Sequence, residues 1–266
     1  MSRIDRQFAA ALANDRKLLI PFITAGDPSL DSTVPVMHAL VRAGADLIEL
    51  GVPFSDPMAD GPSIQHSSER AIERGAGLRF ALECVQQFRR QDSVTPVVLM
   101  GYLNPVDILG AAEYARRAVA AGVDGTLLVD LPDEEAGPFR DAFAQSGLEW
   151  IGLVAPTTSI GRLRAICQHA EGYLYYVSYA GVTGTGQALQ NESNSGVLAR
   201  LQEQSPVPVV VGFGVRDAES AKRVAAGADG VVIGSALVDT LSAADDPVLA
   251  AEAFLRPVRE ALDGLR

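Results

Sequence analysis

The stretch that decides the fold is AGADLIELG, residues 43–51, in which a helical pattern ends at Ala43 and a short apolar run follows. Glycine just past a helix supplies a left-handed cap. The run Leu47–Gly51 is typical of a strand that is buried on both faces of a parallel sheet. Ala-Gly-x-Asp returns at residues 121–124 and 226–229, each time before another apolar run. The repeat predicts that helices and strands alternate along the chain.

Eight such runs are spread over the 266 residues, and amphipathic patterns separate them. The runs are Leu18–Thr24, Leu47–Gly51, Pro96–Tyr102, Gly125–Asp130, Glu149–Val154, Tyr173–Ser178, Val207–Gly212 and Gly230–Gly234. The helical patterns are Ile4–Asn14, Ser32–Ala43, Leu78–Gln91, Ala111–Ala121, Asp133–Ser146, Ile160–Ala170, Gly196–Gln204, Ala218–Ala226 and Val248–Leu265. Eight βα units predict a (β/α)8 TIM barrel with an extra N-terminal helix, in one domain over residues 1–266. An open doubly wound sheet is the alternative, but no Gly-x-Gly-x-x-Gly follows the first run.

Charge and composition exclude several classes of partner. The net charge of −11 argues against nucleic acid or an anionic membrane. No apolar stretch reaches 18 residues and no signal-peptide core opens the chain, so we expect a cytoplasmic protein. Cys84 and Cys167 both lie in helical patterns, and we expect them to be buried and reduced rather than joined by a disulfide.

Glu49 is a carboxylate inside an apolar run, where an unpaired charge is costly. In phase with Leu47 and Gly51, it is predicted to point into the barrel near the carboxyl ends of the strands, where barrel enzymes keep their chemistry. The proline-rich loop VPFSDPMADGP, residues 52–62, returns Asp60 to the same rim. Two carboxylates at one apolar mouth can hold different protonation states. The alternatives are that Glu49 pairs with a buried arginine and that Asp60 merely caps the loop.

Glycines cluster after the last three runs, at residues 181–184, 212–214 and 234. Backbone N–H groups in such turns, with the Ser235 hydroxyl, predict a phosphate site, as the last loops of barrels commonly form. The alternative is tight turns without a ligand. The long segment Tyr179–Asn194 predicts a lid, or else a surface loop. Large apolar residues at strand ends suggest a flat aromatic ligand, although each one could simply belong to the core; they are Phe22, Met100, Tyr102, Leu127, Ile151, Leu153, Tyr175 and Phe213.

Three chemistries conflict with the residues available. A Schiff-base aldolase needs a lysine at a strand end, but Lys17 precedes the first run and Lys222 lies in a helical pattern. A zinc aldolase needs clustered histidines, and the three histidines are far apart in sequence. A Ser-His-Asp hydrolase would need a Gly-x-Ser-x-Gly elbow, which is missing from the sequence.

Over nearly its whole length the chain resembles the alpha subunit of tryptophan synthase. The similarity is carried by residues 21–28 (PFITAGDP), 49–62 (ELGVPFSDPMADGP), 181–184 (GVTG), 212–215 (GFGV) and 234–236 (GSA). It implies retro-aldol cleavage of indole-3-glycerol phosphate to indole and glyceraldehyde 3-phosphate, with the protonated indole as its own electron sink. The alternatives are another phosphate-binding barrel, such as an isomerase, and a weakly active subunit that mainly activates a partner.

The resemblance also implies roles for individual residues. Glu49 would be the general acid and base, and Asp60 would accept a hydrogen bond from the indole N–H. The substrate would be lined by Phe22, Met100, Tyr102, Leu127, Tyr175, Thr183 and Phe213. The phosphate would be held by Gly184, Gly214, Gly234 and Ser235.

A partner is implied as well. The family works with a beta subunit that uses pyridoxal phosphate and receives indole through a tunnel, in an alpha2-beta2 heterotetramer. The partner surface would include Pro53–Pro57 and the turn at Asn104 and Pro105. This chain itself is expected to bind neither a cofactor nor a metal.

Overall fold

A barrel of parallel strands forms the centre of this protein, in a computed structural model that describes residues 1–177, 196, 198–212 and 214–265. Among these residues the strands are β1 (Leu18–Thr24), β2 (Ile48–Gly51), β3 (Val97–Gly101), β4 (Gly125–Leu128), β5 (Glu149–Trp150), β6 (Gly152–Val154), β7 (Leu174–Val177), β8 (Val209–Gly212) and β9 (Gly230–Ile233). Their order is β5-β4-β3-β2-β1-β9-β8-β7-β6. The two outermost strands, β5 and β6, are one predicted run interrupted at Ile151, so the sheet nearly closes on itself. The predicted (β/α)8 barrel is confirmed.

Helices surround the sheet. They are α1 (Arg3–Ala13), α2 (Thr33–Arg42), α3 (Pro62–Glu73), α4 (Leu78–Phe88), α5 (Leu103–Leu109), α6 (Ala111–Ala121), α7 (Gly137–Ser146), α8 (Ile160–Gln168), α9 (198–204), α10 (Ala218–Ala225), α11 (Ser235–Ala243) and α12 (Pro247–Asp263). Within the part of the chain that the structure covers, every helix is too short or too polar to cross a lipid bilayer.

Side chains alternate across each strand, because successive Cβ atoms point to opposite faces. In β1, Ile20 and Phe22 pack inside the barrel, whereas Leu19 and Ile23 pack against the helices. Three residues of α1, Ile4, Phe8 and Ala11, belong to the interior cluster, so α1 closes the amino-terminal end of the barrel. The opposite end carries the βα loops. Cys84 and Cys167 are buried and free, as predicted.

The Ala-Gly-x-Asp repeat has a second purpose that the cap alone does not explain. Its aspartates each accept a backbone N–H from the neighbouring strand at 2.8 Å, and the aspartate N–H returns a bond to the carbonyl of the same residue. The pairs are Asp46 with Leu19, Asp124 with Val97, and Asp229 with Val209. Glu171, before β7, accepts the Trp150 N–H in the same way at 3.0 Å. These contacts fix the register of strand pairs at the amino-terminal end.

The glycine part of the repeat is only partly as predicted. Gly44 (φ 102°) and Gly122 (φ 93°) have the left-handed conformation that the cap requires. Gly227 does not, which corrects the prediction of one turn used three times. Here the chain leaves α10 through a right-handed turn closed by the Ala228 N–H on the Ala225 carbonyl (3.2 Å), which needs no left-handed residue.

Three helices were missed by the sequence pattern, namely α3, α5 and α11. The predicted turn at Asn104 and Pro105 is wrong, since both residues lie in the first turn of α5. Proline is tolerated there because a first-turn N–H has no intrahelical partner. Likewise α7 begins at Gly137 rather than Asp133, with Pro138 in its first turn.

Candidate active site

Glu49 lies inside the barrel, fully buried, where the sequence predicted it. Strand pairing sets it opposite Phe22 of β1 and Val98 of β3. Its Oε1 accepts a hydrogen bond from the Tyr173 hydroxyl at 2.7 Å. Its Oε2 is buried without a hydrogen-bond partner among the described residues. In the described residues the partner of Glu49 is therefore Tyr173 and not the buried arginine of the alternative prediction.

Burial dominates the proton affinity of Glu49. Loss of solvation raises its pKa to about 8, and the hydrogen bond from Tyr173 only partly offsets this by favouring the charged form. A carboxyl group with such a pKa populates both protonation states near neutral pH. It can therefore both give and take a proton within one reaction cycle.

Asp46, only three positions earlier, shows what a carboxylate in a structural role looks like. It is buried too, but it accepts hydrogen bonds from Arg259 (3.0 Å), Gln7 (3.1 Å) and the Leu19 N–H (2.8 Å), and Arg16 also contacts it. Since its charge is paired, no further partner is needed. In the described part of the chain no arginine or lysine pairs with Glu49, which separates a candidate catalytic carboxyl group from a structural one.

Asp60 returns to the rim as predicted, and Tyr102 holds it there. The Tyr102 hydroxyl donates to Asp60 Oδ2 (2.9 Å) and accepts the Ala59 N–H (3.0 Å), while its ring stacks on Phe54 at 5.0 Å. Burial raises the pKa of Asp60, and the Tyr102 hydrogen bond opposes that shift. Asp60 stands just before α3, whose first turn includes Pro62. The loop 52–60 is thus attached to the end of β3.

Four of the predicted residues surround one small cavity at the mouth, namely Phe22, Asp60, Met100 and Tyr102. Leu127 is not among the lining residues; it is fully buried in the interior cluster below. Tyr175 is buried in the interior cluster; burial raises the pKa of its phenol, and the negative charges of Glu49 and Asp60 raise it further. Sequence reasoning missed Val129, Ile64 and Thr24, which also line the cavity. Val129 and Thr24 lie near the ends of predicted strands, and this position could have indicated that they line the cavity.

The phosphate candidates meet at two adjacent strand ends, because β8 and β9 pair through Gly212 and Val232. Gly214 follows β8 with φ 77°. Gly234 precedes α11, and Ser235 is its exposed first residue. The first N–H groups of a helix have no intrahelical acceptor and attract anions. The apolar spacing of Leu237, Val238 and Leu241 could have revealed α11 from sequence.

Some predictions lie outside the described residues. These are Thr183, Gly184, Phe213 and the Tyr179–Asn194 lid. Among the residues that the structure does describe, His, Cys, Asp and Glu side chains form no group of three suited to a metal ion.

One residue with a direct contact to the candidate site was not singled out from the sequence. Tyr173 is fully buried and donates a hydrogen bond to Glu49. Its ring packs against Phe8 of α1 at a ring-centroid distance of 5.6 Å. Its place at the start of a buried run made it resemble a core residue. Only the distance to Glu49 reveals its polar role.

Comparisons with known proteins agree on one family. A family model described as tryptophan synthase alpha chain matches residues 8–262. The tryptophan synthase alpha chain of Xanthomonas oryzae pv. oryzae is 63% identical over 266 residues, covering 99% of both chains. That of Xylella fastidiosa is 61% identical over 269 residues, covering 100% of both. The crystal structure of tryptophan synthase subunit alpha from Legionella pneumophila superposes with a TM-score of 0.93 at 45% identity, covering 100% of both chains.

Proposed function

Because this chain belongs to the tryptophan synthase alpha chain family, we propose that Glu49 and Asp60 perform the cleavage of indole-3-glycerol phosphate to indole and glyceraldehyde 3-phosphate. The observation that carries the proposal is the state of Glu49: fully buried, with a pKa raised to about 8 and one oxygen unpartnered among the described residues. This carboxyl group has a proton to give and an oxygen free to receive one.

Glu49 moves two protons in the reaction. In its neutral form it protonates indole C3, which places positive charge on the ring nitrogen. In its charged form it then removes the proton from the hydroxyl on the adjacent glyceryl carbon. The bond from C3 to that carbon breaks, its electron pair returns to the ring, and the hydroxyl oxygen becomes the aldehyde carbonyl. Glu49 ends the cycle protonated, so protons and electrons balance.

Asp60 stabilises the charge that develops on the indole. Its carboxylate accepts the ring N–H and opposes the positive charge on nitrogen, an interaction that strengthens in the transition state. Tyr102 orients Asp60 through its hydroxyl (2.9 Å) and thereby fixes where the nitrogen lies. Phe22 and Met100 supply apolar walls for the ring.

The substrate's phosphate binds at the carboxyl ends of β8 and β9, next to Phe22. The N–H groups at Gly214 and at the start of α11, together with the Ser235 hydroxyl, form hydrogen bonds to it. Backbone donors suit this acidic chain, because they bind an anion without adding lysine or arginine. Gly184 contributes a further N–H and Thr183 lines the site, as the resemblance implies.

A beta subunit is the partner that the family implies. The finer proposal is an alpha2-beta2 heterotetramer in the cytoplasm, in which indole passes to a beta subunit that carries pyridoxal phosphate. The loop Pro53–Pro57, with Asn104 and Pro105 of α5, faces that partner. Exposed apolar side chains next to these two segments support the assignment, since Met58, which follows the loop, is 81% exposed and Ile108 of α5 is 82% exposed.

Indole release from indole-3-glycerol phosphate by the purified chain tests the function. Glu49→Gln should lower kcat/KM by about 10²-fold or more, the usual contribution of a positioned acid or base. Glu149→Gln is the matched control. Glu149 also has an unpartnered Oε2 among the described residues and a pKa raised to about 7, but it is the first residue of β5, at the amino-terminal end of that strand. Phosphate-dependent isomerisation without indole release would favour the isomerase. Partner activation without cleavage would favour the weakly active subunit.

A further inference from the structure

The barrel wall has a gap between β4 and β6, beside the candidate active site. β4 pairs with β5 only at Gly125 and Thr126, and the Ile151 N–H still reaches the Thr126 carbonyl at 2.9 Å. Beyond Ile151 the chain pairs on its other side, with β7, from Gly152 onward. Within the described residues, the carboxyl end of β4 therefore has no strand partner on this side.

A cavity of about 310 Å³ occupies the gap. Its apolar walls are Leu128, Leu131, Trp150, Leu153 and Ile166. Cavities that bind small molecules begin at about 300 Å³ and are mostly apolar with a few polar groups. The Trp150 ring stacks on Phe143, with 6.1 Å between the ring centroids. A supported aromatic face is suited to hold a second flat ring.

This cavity shares a wall with the active-site mouth. Val129 lines both the cavity in the gap and the cavity beside Asp60. The backbone of Val129 is fixed, because its N–H binds the Gly101 carbonyl at 3.0 Å. Val129 is thus the residue at which the two cavities meet.

The polar rim indicates which ligand chemistry fits. The charged residues of the lining are Asp130, Asp133 and Arg162. Arg140 is bound to Asp133, and Arg162 lies 3.2 Å from Glu134, so an added anion would meet more negative than positive charge. Asp130 accepts the Leu103 N–H at 2.7 Å, and a carboxylate can accept several hydrogen bonds. The rim favours a neutral ring with an N–H donor.

We propose that the gap between β4 and β6 is a secondary binding site for a neutral, indole-sized aromatic molecule that enters past Val129. The identification of the occupant as indole rests on the proposed function, in which indole is the product.

Trp150 is the only tryptophan of the chain, which provides a specific probe. Incorporation of 5-fluorotryptophan gives one ¹⁹F resonance, and the full-length protein is titrated with indole. The resonance should shift saturably in the parent and in Ile108→Phe, a control that adds the same ring on the exposed face of α5. In Leu131→Phe, which fills the cavity, the affinity should fall about tenfold or more, since pocket volume alone discriminates by such factors.

Two results would overturn the site: no saturable shift, or an unchanged affinity in Leu131→Phe. Because that variant could fail to fold, parent crystals soaked with 5-bromoindole provide an independent measurement. An anomalous bromine peak between Trp150 and Ile166 supports the site, whereas a peak at the mouth alone contradicts it. Cleavage activity is measured on the same parent sample, so that its absence counts against the proposed function and leaves the binding result separate.

Discussion

The Tyr173 hydroxyl lies 2.7 Å from Glu49 Oε1, in a part of the barrel where both residues are fully buried. This contact joins Tyr173, just before β7, to Glu49 in β2, 124 positions earlier in the chain. One oxygen of the carboxyl group is thereby held, and the other is left for the reacting proton. The hydrogen bond also favours the charged form against the effect of burial.

The stability of the protein should depend on Glu49 in a defined pH window. The folded pKa of about 8 exceeds the ordinary glutamate value of 4.5, so the folded state binds more protons than the unfolded state between these values. Stability is therefore present at low pH and is lost as the pH rises toward 8. Glu49→Gln removes the effect. The free energy of unfolding of Glu49→Gln, measured with urea, should increase relative to that of the parent as the pH rises from about 5 to 8. A constant difference across this range would contradict the assigned pKa.

Tyr173→Phe should move the pH profile of cleavage. Removal of the hydroxyl takes away the hydrogen bond that lowers the pKa of Glu49, so the limb of kcat/KM that reports this group should shift to higher pH. Tyr114→Phe is the control, because that buried hydroxyl bonds Thr126 at 2.8 Å, away from the site. The control should lose stability without a shift of the limb. A shift of equal size in both variants would make Tyr173 a merely structural residue.

Asp60→Asn should lower kcat/KM by about 10²–10³-fold, the size of one preorganised electrostatic group. The amide keeps the shape and can still accept from Tyr102, but it cannot oppose the positive charge on the indole nitrogen. Asp56→Asn, on the exposed part of the same loop, serves as the control and should leave cleavage nearly unchanged. If steady-state kinetics found Asp60→Asn as active as the parent, the role given to this carboxylate would be wrong.

Gly212 and Gly234 should respond differently to alanine. A Cβ at Gly212 would lie 1.9 Å from the Tyr175 hydroxyl and 2.0 Å from its Cζ, so the ring must move. At Gly234 the nearest atom is Phe22 Cβ at 3.5 Å, an ordinary contact. Gly212→Ala should cost about 1–3 kcal/mol by overpacking, and it should also raise KM, because Tyr175 belongs to the same interior cluster as Phe22, which lines the cavity beside Asp60. Gly234→Ala should cost under about 1 kcal/mol. Denaturant unfolding and steady-state kinetics measure both, and equal losses would contradict the steric argument.

Sequence patterns predicted the barrel because local rules apply at every strand. The runs are short, apolar and β-branched, and the Ala-Gly-x-Asp turns separate them from helices. The patterns failed where the local signal was weak. α3 buries small polar residues, Ser67 and Ser68, so its apolar stripe is hard to recognise. The break at Ile151 was also missed. The fifth run pairs first with β4 and then with β7, but its composition is the same as that of an unbroken strand.

The residue type, phase and position of Glu49 followed from the sequence alone, because side chains alternate along a strand and a buried charge in an apolar run is exceptional. The proline loop likewise placed Asp60 at the same rim. Tertiary structure decided the rest: the hydroxyl of Tyr173 on Glu49, that of Tyr102 on Asp60, and the gap beside Val129. These features depend on distances between segments that are far apart in the chain. Periodicity determines which way a side chain points, but only packing determines what it meets there.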